Sequence, residues 1–147
     1  MNRMYMTVAA LVLAITAAGA SAAEFAGVVK TVRGTASVER SGQRIAVAPG
    51  TRVEQSDRVM TGTDGHLGIT MRDDTLLTLG PRSDLTLESY AFDPKTHDGN
   101  FLASLKTGIL SVVTGLLPRR RPDSFTVKTP ISTMGVRGTE FIVEARE

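Results

Sequence analysis

From Gly27 onward, apolar and polar residues alternate with a period of two. "TASVER" puts Ala36 and Val38 on one face, with Ser37 and Glu39 on the other. "HLGITMR" does the same with Leu67, Ile69 and Met71, "DLTLES" with Leu85 and Leu87, and "SFTVK" with Phe125 and Val127. "TEFIVEA" follows suit with Phe141, Val143 and Ala145. Such alternation is the mark of half-buried strands, and it predicts a strand at each place. Turn-forming residues interrupt the runs at Ser41-Gly42, Pro49-Gly50, Gly62 with Asp64-Gly65, Gly80-Pro81, Asp98-Gly99, Pro118 and Pro130. No window of a dozen residues carries an apolar helical stripe. The pattern predicts an all-β fold of many short strands, sandwich-like or solenoid-like, in one domain over residues 24–147.

Two segments depart from this rhythm. Residues 1–23 hold Arg3, an apolar run from about Met6 to Ala18, and then Ala20-Ser21-Ala22, the small-residue pattern of a signal-peptidase site. The run is shorter than the roughly 20 residues that span a bilayer. A cleaved signal peptide is expected, giving a mature chain that begins near Glu24 in the periplasm or another extracytoplasmic space. "LPRRRPDS" (117–124) is the other departure. Two prolines bracket Arg119, Arg120 and Arg121, which predicts an exposed loop between a strand ending near Thr114 and one starting at Phe125. These arginines are candidate partner contacts, since guanidinium groups grip carboxylates and phosphates; a solvated loop guarding a sheet edge is the plainer reading.

Composition narrows the chemistry. There is no cysteine, so disulfides, thiolate metal sites and cysteine nucleophiles are excluded. The chain has 17 Lys+Arg against 15 Asp+Glu; without Arg3 the balance is 16 to 15, a net of +1. That gives no general pull toward nucleic acid. His66 and His97 are the two histidines and form no pair at metal-ligand spacing. "DPKTHDGN" (93–100) is rich in oxygen but lacks a calcium-loop spacing. Asp73 and Asp74 are adjacent, point to opposite faces of a hairpin, and read as turn residues rather than an acid–base pair. No nucleophile elbow, P-loop or dinucleotide fingerprint is present. Neither a cofactor nor a catalytic residue is expected. A carbohydrate hydrolase would need two of Glu39, Glu54, Glu88, Asp57 and Asp84 in one cleft, and the spacing assigns none.

Four segments in order resemble the FecR-type periplasmic domain. They are "GVVKTVRGTASVER", "APGTRVEQSDRVMTGTDGHLGITMRDDTLLTLGPRSDLTLES", "LKTGIL" and "VKTPISTMGVRGTEFIV". The residues that carry the resemblance are Gly34, Gly50, Asp57, Thr61-Gly62, Asp73, Pro81, Ser83, Gly108, Thr129-Pro130, Gly135 and Arg137-Gly138-Thr139. Asp74 stands where the family usually has Gly, and Asp tolerates a left-handed turn better than most residues. The resemblance implies an extracytoplasmic, all-β, solenoid-like module. Its best-known members relay a receptor signal across the membrane to a sigma factor, using a cytoplasmic segment before a membrane span and a receptor-docking subdomain after the domain. The apolar run here begins by about residue 6, and the chain ends four residues after Val143, so the domain is expected to carry over without that mechanism.

The expected function is therefore a binding or interaction module meeting a protein or an envelope polymer by strand addition at a sheet edge. A membrane-anchored signalling component is the alternative. Val32-Arg33-Gly34-Thr35 recurs as Val136-Arg137-Gly138-Thr139. The repeat is expected to mark matching corners at the first and last rungs, with Pro130 ending one strand and Met134–Val143 supplying a closing strand.

Overall fold

The computed structural model describes residues 24–136 and 140–146. It is all-β: β1 (Phe25–Arg33), β2 (Ala36–Arg40), β3 (Gln43–Ala46), β4 (Arg52–Glu54), β5 (Arg58–Thr61), β6 (His66–Met71), β7 (Leu76–Leu79), β8 (Asp84–Phe92), β9 (Gly99–Val113), β10 (Phe125–Lys128), β11 (Thr133–Gly135) and β12 (Glu140–Ala145). The alternating apolar residues of each stretch fall within one of these strands, with Val38, Leu67, Ile69, Met71, Leu85, Leu87, Phe125, Val127, Val143 and Ala145 buried.

The strands form one curled sheet that is continuous only through β9. On one side of that strand lies a leaf ordered β4-β1-β6-β7-β9, closed by β12 against the last residues of β9. On the other lies a second leaf ordered β3-β2-β5-β8-β9, extended by β10 and β11. All pairs are antiparallel except β9–β10. The inner faces of both leaves contribute to a single hydrophobic cluster. In the second leaf it is reinforced by Phe101 and Phe125, stacked 4.1 Å apart, with Tyr90 and Phe141 edge-on to them.

The chain changes leaf at a row of corners. β1 passes to β2 at Gly34, β5 to β6 at Gly62–Gly65, β7 to β8 at Gly80–Ser83, and β9 crosses within itself at Gly108. Backbone bonds tie each corner to the next. The Gly62 N–H donates to Thr35 O, Arg82 N–H to Gly62 O, and Gly80 N–H to Ile109 O. Two hydroxyls fill the row: Thr61 Oγ1 donates to Gly80 O at 2.7 Å and accepts from Ser83 N–H, while Ser83 Oγ accepts from Ile109 N–H at 3.0 Å. Gly34 and Gly108 have φ of +66° and +103°, and an added Cβ would overlap Asp64 and Ser83 respectively. Only glycine allows the neighbouring corners to come this close.

Two expectations need correction. The 117–124 segment is more than an exposed loop: it forms a helical turn α1 (Leu117–Arg120) and a 3-10 turn (Pro122–Ser124), and Leu117 is buried in the core. The Ser124 hydroxyl closes the segment by donating to Leu117 O. Residues Met134–Val143 do not make one closing strand. They are divided between β11, folded back on β10, and β12, paired with β9 in the other leaf.

Candidate functional site

Four of the polar residues singled out in the sequence, Asp57, Thr61, Asp73 and Ser83, turn inward. Asp57 is 0 % exposed and accepts two hydrogen bonds from Arg40, at 2.8 and 2.7 Å, and one from the Glu54 N–H. Arg40 also meets Glu54 at 3.0 Å, and its hydrogen bond to Asp57 holds the guanidinium further toward its charged form. Asp73 is equally buried, in the β6–β7 turn. It accepts from the Thr75 hydroxyl at 2.6 Å and the Tyr90 hydroxyl at 3.0 Å, and its carbonyl accepts from the Leu116 N–H. Burial first, and then the Asp73 charge, push the Tyr90 phenol well above its ordinary range. Both aspartates are thus tie points for loops, fully hydrogen-bonded as buried charges must be. Asp74, beside the second, is exposed, with φ +66°.

The remaining signature positions are scattered over connections. Gly50 donates to Val29 O in the link before β4, and Pro81 lies in the β7–β8 corner. Thr129 and Pro130 begin the β10–β11 turn, and Gly135 ends β11 with open space where a Cβ would stand. Arg137, Gly138 and Thr139 lie outside the described residues, as do residues 1–23, where a signal peptide is expected. Arg121 is exposed at the end of α1; the side chains of Arg119 and Arg120 are outside the description. The carboxylates considered for catalysis are held by cations: Asp57 and Glu54 share Arg40, Asp84 is bound to Arg58 at 2.9 and 2.5 Å, and Glu88 to Lys128 and the Ser104 hydroxyl.

The outer faces of the two leaves differ. That of the second leaf carries the Arg58–Asp84 and Lys128–Glu88 pairs. On the first leaf, Leu76 of β7 stands opposite Val113 of β9, Ile109 lies four positions further along β9 with Ser111 between, and Ile142 of β12 sits opposite Ser111, diagonal to both β9 residues. All four aliphatic side chains are exposed, Ile142 at 70 %. The only other large hydrophobic exposed among the described residues is Ile131, at 96 %, on the tip of the β10–β11 turn. Ile131 and Ile142 line opposite walls of a groove of about 450 Å³ between β12 and that turn. A second hollow of about 260 Å³ continues along β12 beside Met134, Gly135 and Val136.

Its backbone is open as well. Because Ile109 O accepts from Gly80 N–H, Ile109 directs its backbone to β7, and Leu110 and Val112 direct theirs to β12. Their partners Val143 and Phe141 therefore face β9, while the N–H and C=O groups of Ile142 and Glu144 point into the groove. This is an edge able to accept another strand.

The model of the FecR protein family matches residues 57–147, well over half of the chain. The chain belongs to the FecR family. This is a family of cell-envelope signalling proteins. The matched region begins at buried Asp57 and includes three of the four corners, while Gly34 and Gly50 precede it. No curated protein and no solved structure matches the chain.

Sequence reasoning did not single out Arg40, Tyr90 or Ile142. Arg40 gave no signal, ending a strand on a polar position. Tyr90 gave one: a tyrosine inside an apolar strand needs a partner for its hydroxyl. Ile142 gave another, because placing Phe141, Val143 and Ala145 inward leaves an isoleucine outward between two glutamates.

Proposed function

We propose that this FecR-family chain is an exported, non-catalytic interaction module, which binds a protein partner of the cell envelope through the outer face of β7, β9 and β12. The observation that carries the reading is the exposure of Leu76, Val113, Ile109 and Ile142 on one sheet face, as direct or diagonal cross-strand neighbours, beside an unpaired strand edge. Contiguous exposed aliphatics are costly in water and mark contact surfaces, whereas isolated ones do not. The family supports protein-level signalling in the envelope as the setting. A protein fits this face better than a polysaccharide, because aliphatic side chains offer sugars neither stacking rings nor hydrogen bonds.

The test is a photo-crosslinking residue placed at Ile109 and, as a control, at Thr86 on the opposite outer face, in cells making the full chain. Crosslinks to a discrete protein from position 109 alone are expected; equal labelling from both positions, or from neither, contradicts the reading. The alternative is a membrane-anchored regulator of a sigma factor, supported by the family. It requires residues 1–23 to stay attached. A mature mass corresponding to a start near Glu24 eliminates it.

A further inference from the structure

We infer that β12 pairs with β12 of a second copy of this chain, antiparallel and centred on Val143, joining two first leaves into one sheet. The inference rests on the reading of the β12 side as an interaction surface, and it names one occupant of the open edge.

The backbone restricts the choice. Among the described residues, the β12 groups turned away from β9 belong to Glu140, Ile142 and Glu144, and continuing the strand by one residue adds Arg146; in an antiparallel partner these must meet their own kind. Five two-fold arrangements centred inside Glu140–Arg146 satisfy this. Centring on Ile142 sets Glu140 against Glu144 of the other copy, twice. Centring on Glu144 sets that residue against itself. Like charges directly opposite one another are destabilising. Centring on Val143 sets Glu140 against Arg146 twice, and Ile142 against Glu144 twice. Centring on Phe141 sets only Glu140 against Ile142, and centring on Ala145 sets only Glu144 against Arg146. The Val143 register alone engages all four residues, with unlike charges facing each other and both pairs on the outer face.

The side chains agree with it. Glu140, Ile142, Glu144 and Arg146 are all exposed, so the new pairs form without disturbing the core. Arg146 lies 2.8 Å from Glu144 of its own strand, an exposed contact that is readily exchanged for one across the interface. Inside, Val143 meets Val143, and half-buried Phe141 meets Ala145. The two Ile142 side chains become diagonal neighbours, within reach of each other. Each extends its own copy's patch of Val113, Ile109 and Leu76, so pairing fuses two apolar patches into one band. A self-complementary patch about a two-fold axis is what a closed dimer requires.

Sedimentation equilibrium of the protein purified from cells expressing the full chain tests this. A dimer is expected, with Glu140→Lys and Arg146→Glu each weakening it about tenfold or more, and the double variant Glu140→Lys/Arg146→Glu restoring it. Glu144→Pro should give a folded monomer, because the Glu144 N–H points away from β9 and its loss leaves the ladder intact. Circular dichroism confirms that each variant is folded. A wild-type protein that stays monomeric to roughly millimolar concentration overturns the inference, as does a dimer indifferent to the single charge reversals. A monomer that still crosslinks to another protein from position 109 overturns the self-pairing while sparing the proposed function.

Discussion

The two leaves obey the same alternation and fill the same core, yet they present opposite characters to the outside. The second leaf spends its outward positions on Arg58, Asp84, Glu88, Ser104 and Lys128, which satisfy one another. Over β7, β9 and β12 the first leaf spends them on Leu76, Ile109, Val113 and Ile142. Since the inner positions alone supply the core, the outward aliphatics contribute little to folding this chain. Their use lies in contact with something else.

Single substitutions separate the interactions that hold the two leaves together from those that distinguish their outer faces. The largest effect should come from Gly108→Val, which puts a β-branched side chain at φ +103° against Ser83 where β9 passes from one leaf to the other. Loss of the cooperative thermal transition is expected; a protein that melts like wild type would show that the leaves do not depend on this crossing. Next is Asp57→Ala, which removes the anchor of Arg40 and the β4–β5 turn. It should cost about 3 kcal/mol in urea unfolding, the low end for a broken buried pair because Arg40 retains some solvent. A loss under about 1 kcal/mol would deny Asp57 its role as a tie point.

Tyr90→Phe should cost about 1–2 kcal/mol, leaving the Asp73 carboxylate one donor short. It also has a pH signature. The Tyr90 phenol is raised on folding above its ordinary value of 10.0, so its contribution is complete below that pH and declines as the pH climbs beyond it, where the unfolded chain ionises and the folded one does not. The stability of the wild type should therefore fall more steeply above about pH 10 than that of Tyr90→Phe; parallel curves would contradict this. The smallest change in stability belongs to the outer faces themselves. Arg58→Ala and Ile109→Asp should each stay within about 1 kcal/mol of wild type. They part in crosslinking from a neighbouring position such as Val113, which Ile109→Asp should abolish and Arg58→Ala should spare.

Much of the fold was legible in the sequence, and the illegible parts share a cause. Alternation identified the strands because it is written wherever one face is buried. It lost β9, whose buried residues shift from Phe101, Ala103 and Leu105 to Leu110 and Val112, changing parity at Gly108. β8 does the same between Leu87 and Tyr90, where its register with β9 slips. Bulges turn a strand's core face over, and a period-two reading sees only a broken pattern. The candidate face was harder still. The inward residues of "TEFIVEA" identify the strand, but only its place at the edge gives Ile142 a meaning, and edges are set by long-range pairing. Likewise Asp57 and Asp73 lie at turns, as their residue type suggests, but the partners that bury them, Arg40 and Tyr90, are 17 residues away in each case.

If the first leaf, through β12, is where this protein meets its partners, the β12 edge must become covered on association. Residue-resolved amide hydrogen exchange at low and high protein concentration tests it most directly. The Phe141 and Val143 amides, directed to β9, should be protected at both concentrations; the Ile142 and Glu144 amides should gain protection only at the higher one, while those of the β3 edge exchange alike at both. Ile142 and Glu144 amides that exchange freely at every concentration, or edge amides of β3 that gain protection in their place, would contradict it.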